Sequence, residues 1–535
     1  MNNIGDASTT PRPYVIEEYT RTVCPTCAND QTLRSDDADV WKDGMLVSHG
    51  GKIWLRRWCA RHGETESLYE EVAEIWHSRR GWSTPTSFVT PDRADNFAGF
   101  PDGYREGLPA SHGQHTCVLV LNITDRCNYG CTTCFASALA PGAPANKHER
   151  PTIDDILHTV KTVIAREGGK LSVLMLSGGE PTIRDDIARI IEALLPLPIT
   201  RILLNTNGRR ICRDDKFLGF LQTHRNRVEV YLQFDGTSTR SYVALRNEDV
   251  LGEKLETLAR LNSAQIWTTL TMTIARGVND GEIGEVAALA LESPRVSGLA
   301  LQPMFVSGRA PDFDPRDRVT PSGAIQRLEE QGGGQFKIGD FVPLPCSHRD
   351  CCDIAYFIRT PDDSWKSLVA LVGRDELKRW LHLVSNTIAF DSLSEPVVAM
   401  LKDGALNRIW SEQLPVSATK MARDLSQMCD CVPGLPQLLG GLWRVAARQQ
   451  TDRVLEVVAE RTLRITVKMF MDAHTFHEAR LRQCCVHSGT FEDDPRRYSF
   501  CWRWLFADAN DFPPEVQSGF VSLESLSNTK SVAAS

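Results

Sequence analysis

The chain has 535 residues, 42% of them hydrophobic and 24% charged, with a formal net charge of −8 and 16 cysteines. Its length is enough for roughly two to four domains, its mild acidity argues against a dedicated nucleic-acid binder, and no apolar run approaches the length of a membrane span. With neither a basic nor an apolar leader pattern in MNNIGDASTTPRP, the reading is a cytoplasmic protein whose clustered cysteines are metal ligands rather than a disulfide framework.

In chain order, residues 1 to about 14 are polar and read as loose, and residues 15–85 carry VCPTC followed by WCARHG. A C-x2-C turn places two thiolates on one edge of a tetrahedron and a second turn supplies the other edge. Cys24, Cys27, Cys59 and His62 are therefore expected to hold one zinc or rubredoxin-type iron. A cysteine pair packed in a core is the alternative, and a distant cysteine could take the place of His62. Residues 86–114, rich in Gly, Pro and Asp, read as a linker.

From 115 to 312 short apolar strands alternate with helical patterns. The strands are expected at 117–124, 171–179, 201–208, 228–236, 266–274 and 298–304, with amphipathic segments such as IDDILHTVKTVIARE, DDIARIIEALL and EIGEVAALALE between them. Continuous apolar strands separated by helices mean βαβ units and a parallel sheet covered on both faces. The fold class is thus α/β, a partial (β/α)6 TIM-type barrel with an N-terminal metal knuckle and a mostly helical C-terminal auxiliary-cluster domain. Chemistry in such a barrel sits at the carboxyl ends of strands. Those ends carry Asp125 with the cysteine loop, GGEP, NTNG, QFDG and QP.

The cysteine loop, TDRCNYGCTTCFAS, is the most specific signal. Cys127, Cys131 and Cys134 form a C-x3-C-x2-C pattern that ligates three corners of a [4Fe–4S] cube and leaves the fourth iron open, whereas structural zinc would want two C-x2-C pairs. With LSGGEPT about fifty residues on, the two motifs resemble the radical S-adenosylmethionine (SAM) superfamily. That resemblance implies that the open iron chelates the amino and carboxylate groups of SAM, and that reductive cleavage yields a 5′-deoxyadenosyl radical. It also implies that Gly178 and Gly179 let the backbone approach the methionine amino group, with Glu180 as a nearby acceptor. Asn205, Asn207, Gln233, Asp235 and Gln302 are candidates for the ribose, the adenine or the substrate wall. Many members have an aromatic residue before the third cysteine, where this chain has Thr133 and places Phe135 after it.

Residues 313–508 read as mostly helical, as in WKSLVALVGRDELKRWLHLV and LPQLLGGLWRVAARQQTDRVLEVVAE, with a strand-like RITVKMFM near the end. They carry Cys346, Cys351, Cys352, Cys429, Cys431, Cys484, Cys485 and Cys501, enough for one or two auxiliary [4Fe–4S] clusters. Adjacent cysteines point in different directions, which leaves one of each pair as a possible spectator. Cys117 and Cys212 are left as core or lone thiols, and residues 509–535 read as disordered.

The order of CPTC, WCARHG, CNYGCTTCFA, GGEPT, LNTNG, FDG, GVND, QPMFVSGR, PLPCSH, KMFMDAHTF and QCCVHSG narrows the resemblance. It looks like the branch that contains archaeal tetraether lipid synthases and the related radical SAM methylases acting on a pterin. The branch implies a new C–C bond on a lipid or small molecule, with a reductant such as flavodoxin or ferredoxin. Two other readings stay open: sulfur insertion from a sacrificial auxiliary cluster, and a non-catalytic iron–sulfur redox sensor.

Overall fold

A computed structural model describes residues 13–29, 39–82, 89–143, 150–309, 313–360, 363–375, 377–378 and 461–506. Cys429, Cys431, the helical pattern at 435–460 and the C-terminal tail lie outside the described residues.

The N-terminal unit is a four-stranded antiparallel sheet of β1 (Val15–Val23), β2 (Trp41–His49), β3 (Lys52–Cys59) and β4 (Gly63–Glu70), paired in that order. It buries Leu46, Ile53, Leu55 and Trp76 in a small core of its own.

The six expected strands all form: β5 (Val118–Asn122), β6 (Leu171–Ser177), β7 (Ile199–Thr206), β8 (Val228–Gln233), β9 (Thr268–Ile274) and β10 (Val296–Pro303). Each pairs in parallel with the next. The three expected helices form over Ile153–Arg166, Ile187–Leu194 and Ile283–Glu292. The first starts where the sequence predicts it should, because Thr152 and Asp155 form a reciprocal capping box. Its Ile156, Val160, Val163 and Ile164 pack against Leu119, Leu121, Leu174 and Leu176 of β5 and β6 in the main core.

The described residues of the C-terminal part carry more strand than expected. Its described residues include β11 (Val342–Pro343), β12 (Cys352–Arg359), β13 (Trp365–Ser367), β14 (Thr462–Lys468), β15 (Val486–Gly489) and β16 (Arg497–Ser499) beside short helices, so they are not mostly helical. Nor do they form a sheet of their own. β14 pairs in parallel with β10 and β15 in parallel with β5, and antiparallel β12, β11 and β16 continue from them, giving the order β11-β12-β14-β10-β9-β8-β7-β6-β5-β15-β16. The reason is visible in the pattern: Leu463, Ile465 and Val467 alternate with Arg464, Thr466 and Lys468, so this strand adds its apolar set to the core shared with β10. WKSLVALVG, expected as helix from its start, enters as β13 and becomes helical only over Leu368–Val372.

The N-terminal sheet is tied to this frame by buried charge and by aromatic packing. Arg79, 1% exposed, donates to Glu70 (2.5 Å) and to Asp353 on β12 (2.6 and 3.1 Å). Trp41 of β2 packs with Phe100, Phe476, Trp502 and Phe506. The final helix, Phe500–Phe506, thereby joins the N-terminal unit to the barrel, and its Trp504 lies edge-on to Phe135 of the cysteine loop.

Candidate active site and metal centres

The cysteine loop leaves the carboxyl end of β5 and is held by backbone bonds. Cys127 N donates to Leu139 O (2.9 Å), and Leu139 N returns to Asp125 O (2.8 Å). Thr132 and Thr133 donate their hydroxyls to Ala244 O (2.7 Å) and Leu245 O (3.1 Å). Thr133, where an aromatic is common, thus anchors the loop to a neighbouring helix. QPMFVSGR supplies a clamp: Arg309 donates from its backbone N to Cys134 O (2.9 Å), from Nη1 to Ala138 O (2.6 Å) and from Nε to Cys131 O (3.3 Å). Gly308 before it has φ of 59°, and a Cβ there would run into the carbonyl oxygens of Cys134 and Phe135.

Cys127, Cys131 and Cys134 are partly exposed. Burial, the Glu180 carboxylate and the other two thiols together push Cys127 up to about 12. Tyr129 N and Ala138 N donate to Cys127 Sγ and Cys134 Sγ at 3.4 Å, the kind of bond that tunes a cluster's potential. Among the described residues two groups of donors lie within 4.8 Å of one another, as one ion requires, and this trio is not among them. Thiols that take different irons of a cube are expected to stand wider. The donor set fits a three-thiolate cluster.

The GGEP loop lies against the cysteine loop, and its glycines make that close contact possible. Gly179 N donates to Thr124 O and Glu180 N to Arg126 O, both at 2.8 Å. A Cβ on Gly178, whose φ is 131°, would collide with Thr124 O, and one on Gly179 with Arg126 O. Gly179→Ala is therefore expected to displace the two loops and lower 5′-deoxyadenosine formation at least about tenfold, the equivalent of roughly 1.4 kcal/mol in the barrier. Steady-state assay with intact iron content checks this.

Glu180, 1% exposed, also acts within the protein. Its carboxylate accepts from Thr182 N (3.0 Å), Thr182 Oγ1 (2.6 Å), Thr206 Oγ1 (2.6 Å) and Asn207 N (2.7 Å). These bonds bind the end of β7 to the GGEP loop. Asn207 Nδ2 in turn donates to Asn128 Oδ1 in the cysteine loop (2.6 Å), and Asn205 Nδ2 to Ser177 Oγ (2.8 Å).

Asp235, fully buried, accepts from Arg246 Nε (2.6 Å) and Nη2 (2.7 Å) and from Thr273 N (3.0 Å). Burial alone would pull Arg246 down, but Asp235 and then Cys131 raise it. The pair thus sets a fixed positive group beside one thiol of the loop. The GVND turn joins in through Asn279 Nδ2, which donates to Asp235 O and Thr273 O at 2.7 Å.

Sequence reading missed Lys254. It is fully buried, donates to Asn207 O and to Gln233 Oε1 (2.8 Å), and lies 5.2 Å from the Tyr129 ring centroid. Burial brings it down to about 8, with Asp235 opposing the shift. The signal was present: Lys254, Thr257, Leu258 and Leu261 form the buried stripe of the helix Leu251–Ser263, so a lysine occupies a position of core spacing. Arg246 was missed too; it ends the helix Thr239–Arg246 as a buried residue.

Cys24, Cys27, Cys59 and His62 come together as expected. Cys24 and Cys27 Sγ both lie 3.4 Å from His62 Nδ1, Cys59 Sγ lies 3.6 Å from it, and Cys27 and Cys59 Sγ are 3.8 Å apart. Metal–sulfur bonds of about 2.3 Å and metal–nitrogen bonds of about 2.0 Å give tetrahedral edges of about 3.8 and 3.5 Å. The four donors fit one ion, and His62 holds its place in the set. Cys27→Ala is expected to remove about one equivalent of metal per chain, checked by elemental analysis of purified protein.

The late cysteines separate. Cys485 joins Cys346 and, unexpectedly, Cys117. Cys351 accepts from Arg480 Nε (3.5 Å), and burial raises Cys484 and Cys501, with Cys485 adding to the first and Cys484 to the second. Cys501 Sγ accepts from Met471 N at 3.3 Å. Cys352 is raised by burial, which the nearby Lys468 opposes.

The inner face of the sheet has two halves. On β5 to β7 it presents Val118, Val120, Val173, Met175 and Leu203, packed with Phe305 and Phe500. On β8 to β14 the residues alternating with the core are Glu229, Tyr231, Gln233, Thr269, Thr271, Thr273, Gln302, Arg464 and Lys468. Gln302 Nε2 donates to Tyr231 Oη (3.0 Å), and Thr269 Oγ1 to Glu229 Oε1 (2.6 Å). Gln233 Nε2 and Thr271 Oγ1 are buried without a hydrogen-bond partner among the described residues.

A parallel α/β sheet with a three-thiolate loop and GGEP at its carboxyl end defines a radical SAM core. Residues 121–290 match the radical SAM superfamily, and residues 16–71 match the HMPTM N-terminal zinc ribbon domain. The chain is a radical SAM enzyme, similar to a radical SAM methyltransferase, which sets aside the non-catalytic reading. The 7,8-dihydro-6-hydroxymethylpterin dimethyltransferase of Methanocaldococcus jannaschii is 25% identical over 508 residues, covering 91% of this chain and 93% of that one. The GTP 3′,8-cyclase of Acidothermus cellulolyticus is 29% identical over 323 residues, 55% of this chain and 83% of that one. Among solved structures, Streptococcus suis SuiB bound to S-adenosylmethionine matches at a TM-score of 0.34 and 15% identity, covering 41% of this chain and 47% of that one, a likeness too loose to carry detail. None of the described helices is long and apolar enough to cross a membrane.

Proposed function

We propose that the chain is a radical SAM methylase that forms a C–C bond on a pterin-like heterocycle. The observation that carries this reading is the polar half of the inner wall. A TIM-type interior is normally filled with branched aliphatic side chains, and buried polar groups without partners are costly. Gln233 Nε2 and Thr271 Oγ1, beside Tyr231, Gln302 and Lys468, suit a ring rich in nitrogen and oxygen far better than two lipid chains. The similarity along almost the whole of a pterin dimethyltransferase agrees with it.

With Cys127, Cys131 and Cys134 as its three protein ligands, a [4Fe–4S] cluster would leave one iron for SAM and supply the electron that converts it to methionine and a 5′-deoxyadenosyl radical. The chain's own residues do the positioning. Glu180 and the two glycines lock the GGEP loop onto the cysteine loop; Arg246 with Asp235 holds positive charge at Cys131; Lys254 fixes the amide of Gln233 so that Nε2 is free for a ligand. An auxiliary cluster among the late cysteines belongs to the same reading, as does a flavodoxin- or ferredoxin-type reductant.

Reconstituted protein incubated anaerobically with reductant, SAM, a hydroxymethylpterin and a methylene-folate donor carrying labelled carbon tests it. Label in a methylated pterin, with 5′-deoxyadenosine formed and iron content unchanged, supports the reading. A sulfur-containing product with loss of iron would replace it with sulfur insertion, and 5′-deoxyadenosine without modified pterin would remove the substrate class.

A further inference from the structure

We propose that Cys117, Cys346 and Cys485 hold a single thiolate-bound zinc or ferrous ion, a second mononuclear centre distinct from that of the N-terminal sheet. The three come from distant parts of the chain. Cys117 directly precedes β5, Cys346 follows β11, and Cys485 directly precedes β15. Each is almost fully buried, at 0%, 2% and 5% exposure, and their sulfurs all lie within 4.8 Å of one another.

Sγ of Cys346 and Sγ of Cys485 are 3.8 Å apart. A disulfide would need about 2.05 Å, whereas two thiolates on one ion at about 2.3 Å stand about 3.8 Å apart. A cube would place each thiolate on a different iron and splay them wider, as the Cys127 loop does. The backbone supports the cage: Cys117 N and Val118 N both donate to Cys485 O, at 2.9 and 3.1 Å, so the two strand starts are locked with their thiols on one side. His115 Nε2 lies 3.4 Å from Cys117 Sγ, at the border of the three-sulfur group. Three buried thiols can pack as small apolar groups, but such packing does not require three sequence-distant sulfurs to converge on one another beside an imidazole.

The site lies at the amino end of β5, opposite the Cys127 loop, and packs into the aromatic group of Phe305, Phe470 and Phe500 beneath it. A role in holding β15 and β11 to the barrel follows from that position. The inference does not depend on the proposed reaction, because metal content is read without turnover.

Full-length wild type, Cys117→Ala, Cys27→Ala and the double variant are compared for zinc, iron and acid-labile sulfide. The expected result is loss of about one metal ion per chain in each single variant and about two in the double, with sulfide unchanged. Unchanged metal in Cys117→Ala overturns the site, and loss of about four irons with four sulfides overturns its mononuclear nature. Should Cys117→Ala not fold, cadmium-113 NMR of wild-type chain loaded with cadmium alone decides: two sulfur-rich signals support the inference, and one contradicts it.

Discussion

Replacing Cys127, Cys131 and Cys134 together by alanine is expected to abolish 5′-deoxyadenosine formation and to remove about four irons and four sulfides per chain. The loop should survive the change. Its backbone is held by Arg309, by Thr132 and Thr133, and by the Cys127–Leu139 and Leu139–Asp125 bonds, none of which uses a thiol. The N-terminal site, built from other strands, should keep its ion. Iron, sulfide and zinc measured on the same preparation, with a single-turnover assay, check the result. Iron content unchanged from wild type would mean that the cluster is held elsewhere.

Asp235→Ala should have the largest effect on stability of any single substitution at the site. Asp235 is fully buried and faces Arg246 through two short bonds while also accepting from Thr273 N. Removing the carboxylate leaves the guanidinium buried without a counter-charge, a change that typically costs about 3–5 kcal/mol. Replacing both partners by apolar residues should cost less than removing one, because the uncompensated charge is what destabilises. Denaturant unfolding under anaerobic conditions measures both. A loss below about 1 kcal/mol in Asp235→Ala would show that solvent reaches Arg246. Since Arg246 also borders Cys131, the same variant should lose activity beyond what its folded fraction explains.

How much of this was legible in the sequence depends on whether the information is local. The six barrel strands, the capped helix at Ile153 and the four-donor N-terminal site all follow from runs and spacings a few residues long. The grouping of Cys117 with Cys346 and Cys485 does not, because it depends on β15 joining the sheet beside β5, a pairing between strands more than three hundred residues apart. Of the C-terminal strands only β14 was legible, from its alternating RITVK; β12 and β15 were missed because a short strand shows its place only when its partner is known. The glycines of GGEP were found, yet one reason for them was not legible. Their motif is local, but the Thr124 and Arg126 carbonyls that require them belong to another loop.

The central claim is that the Cys127, Cys131 and Cys134 loop supports a cluster with one iron open to SAM. Electron paramagnetic resonance of the dithionite-reduced, reconstituted protein, with and without SAM, tests it most directly when repeated on a variant lacking the late cysteines. SAM is expected to change the spectrum of the one remaining cluster, and SAM with a hyperfine-active label in its amino group should couple to it. An identical spectrum with and without SAM, or a loop that binds only zinc, would contradict the claim.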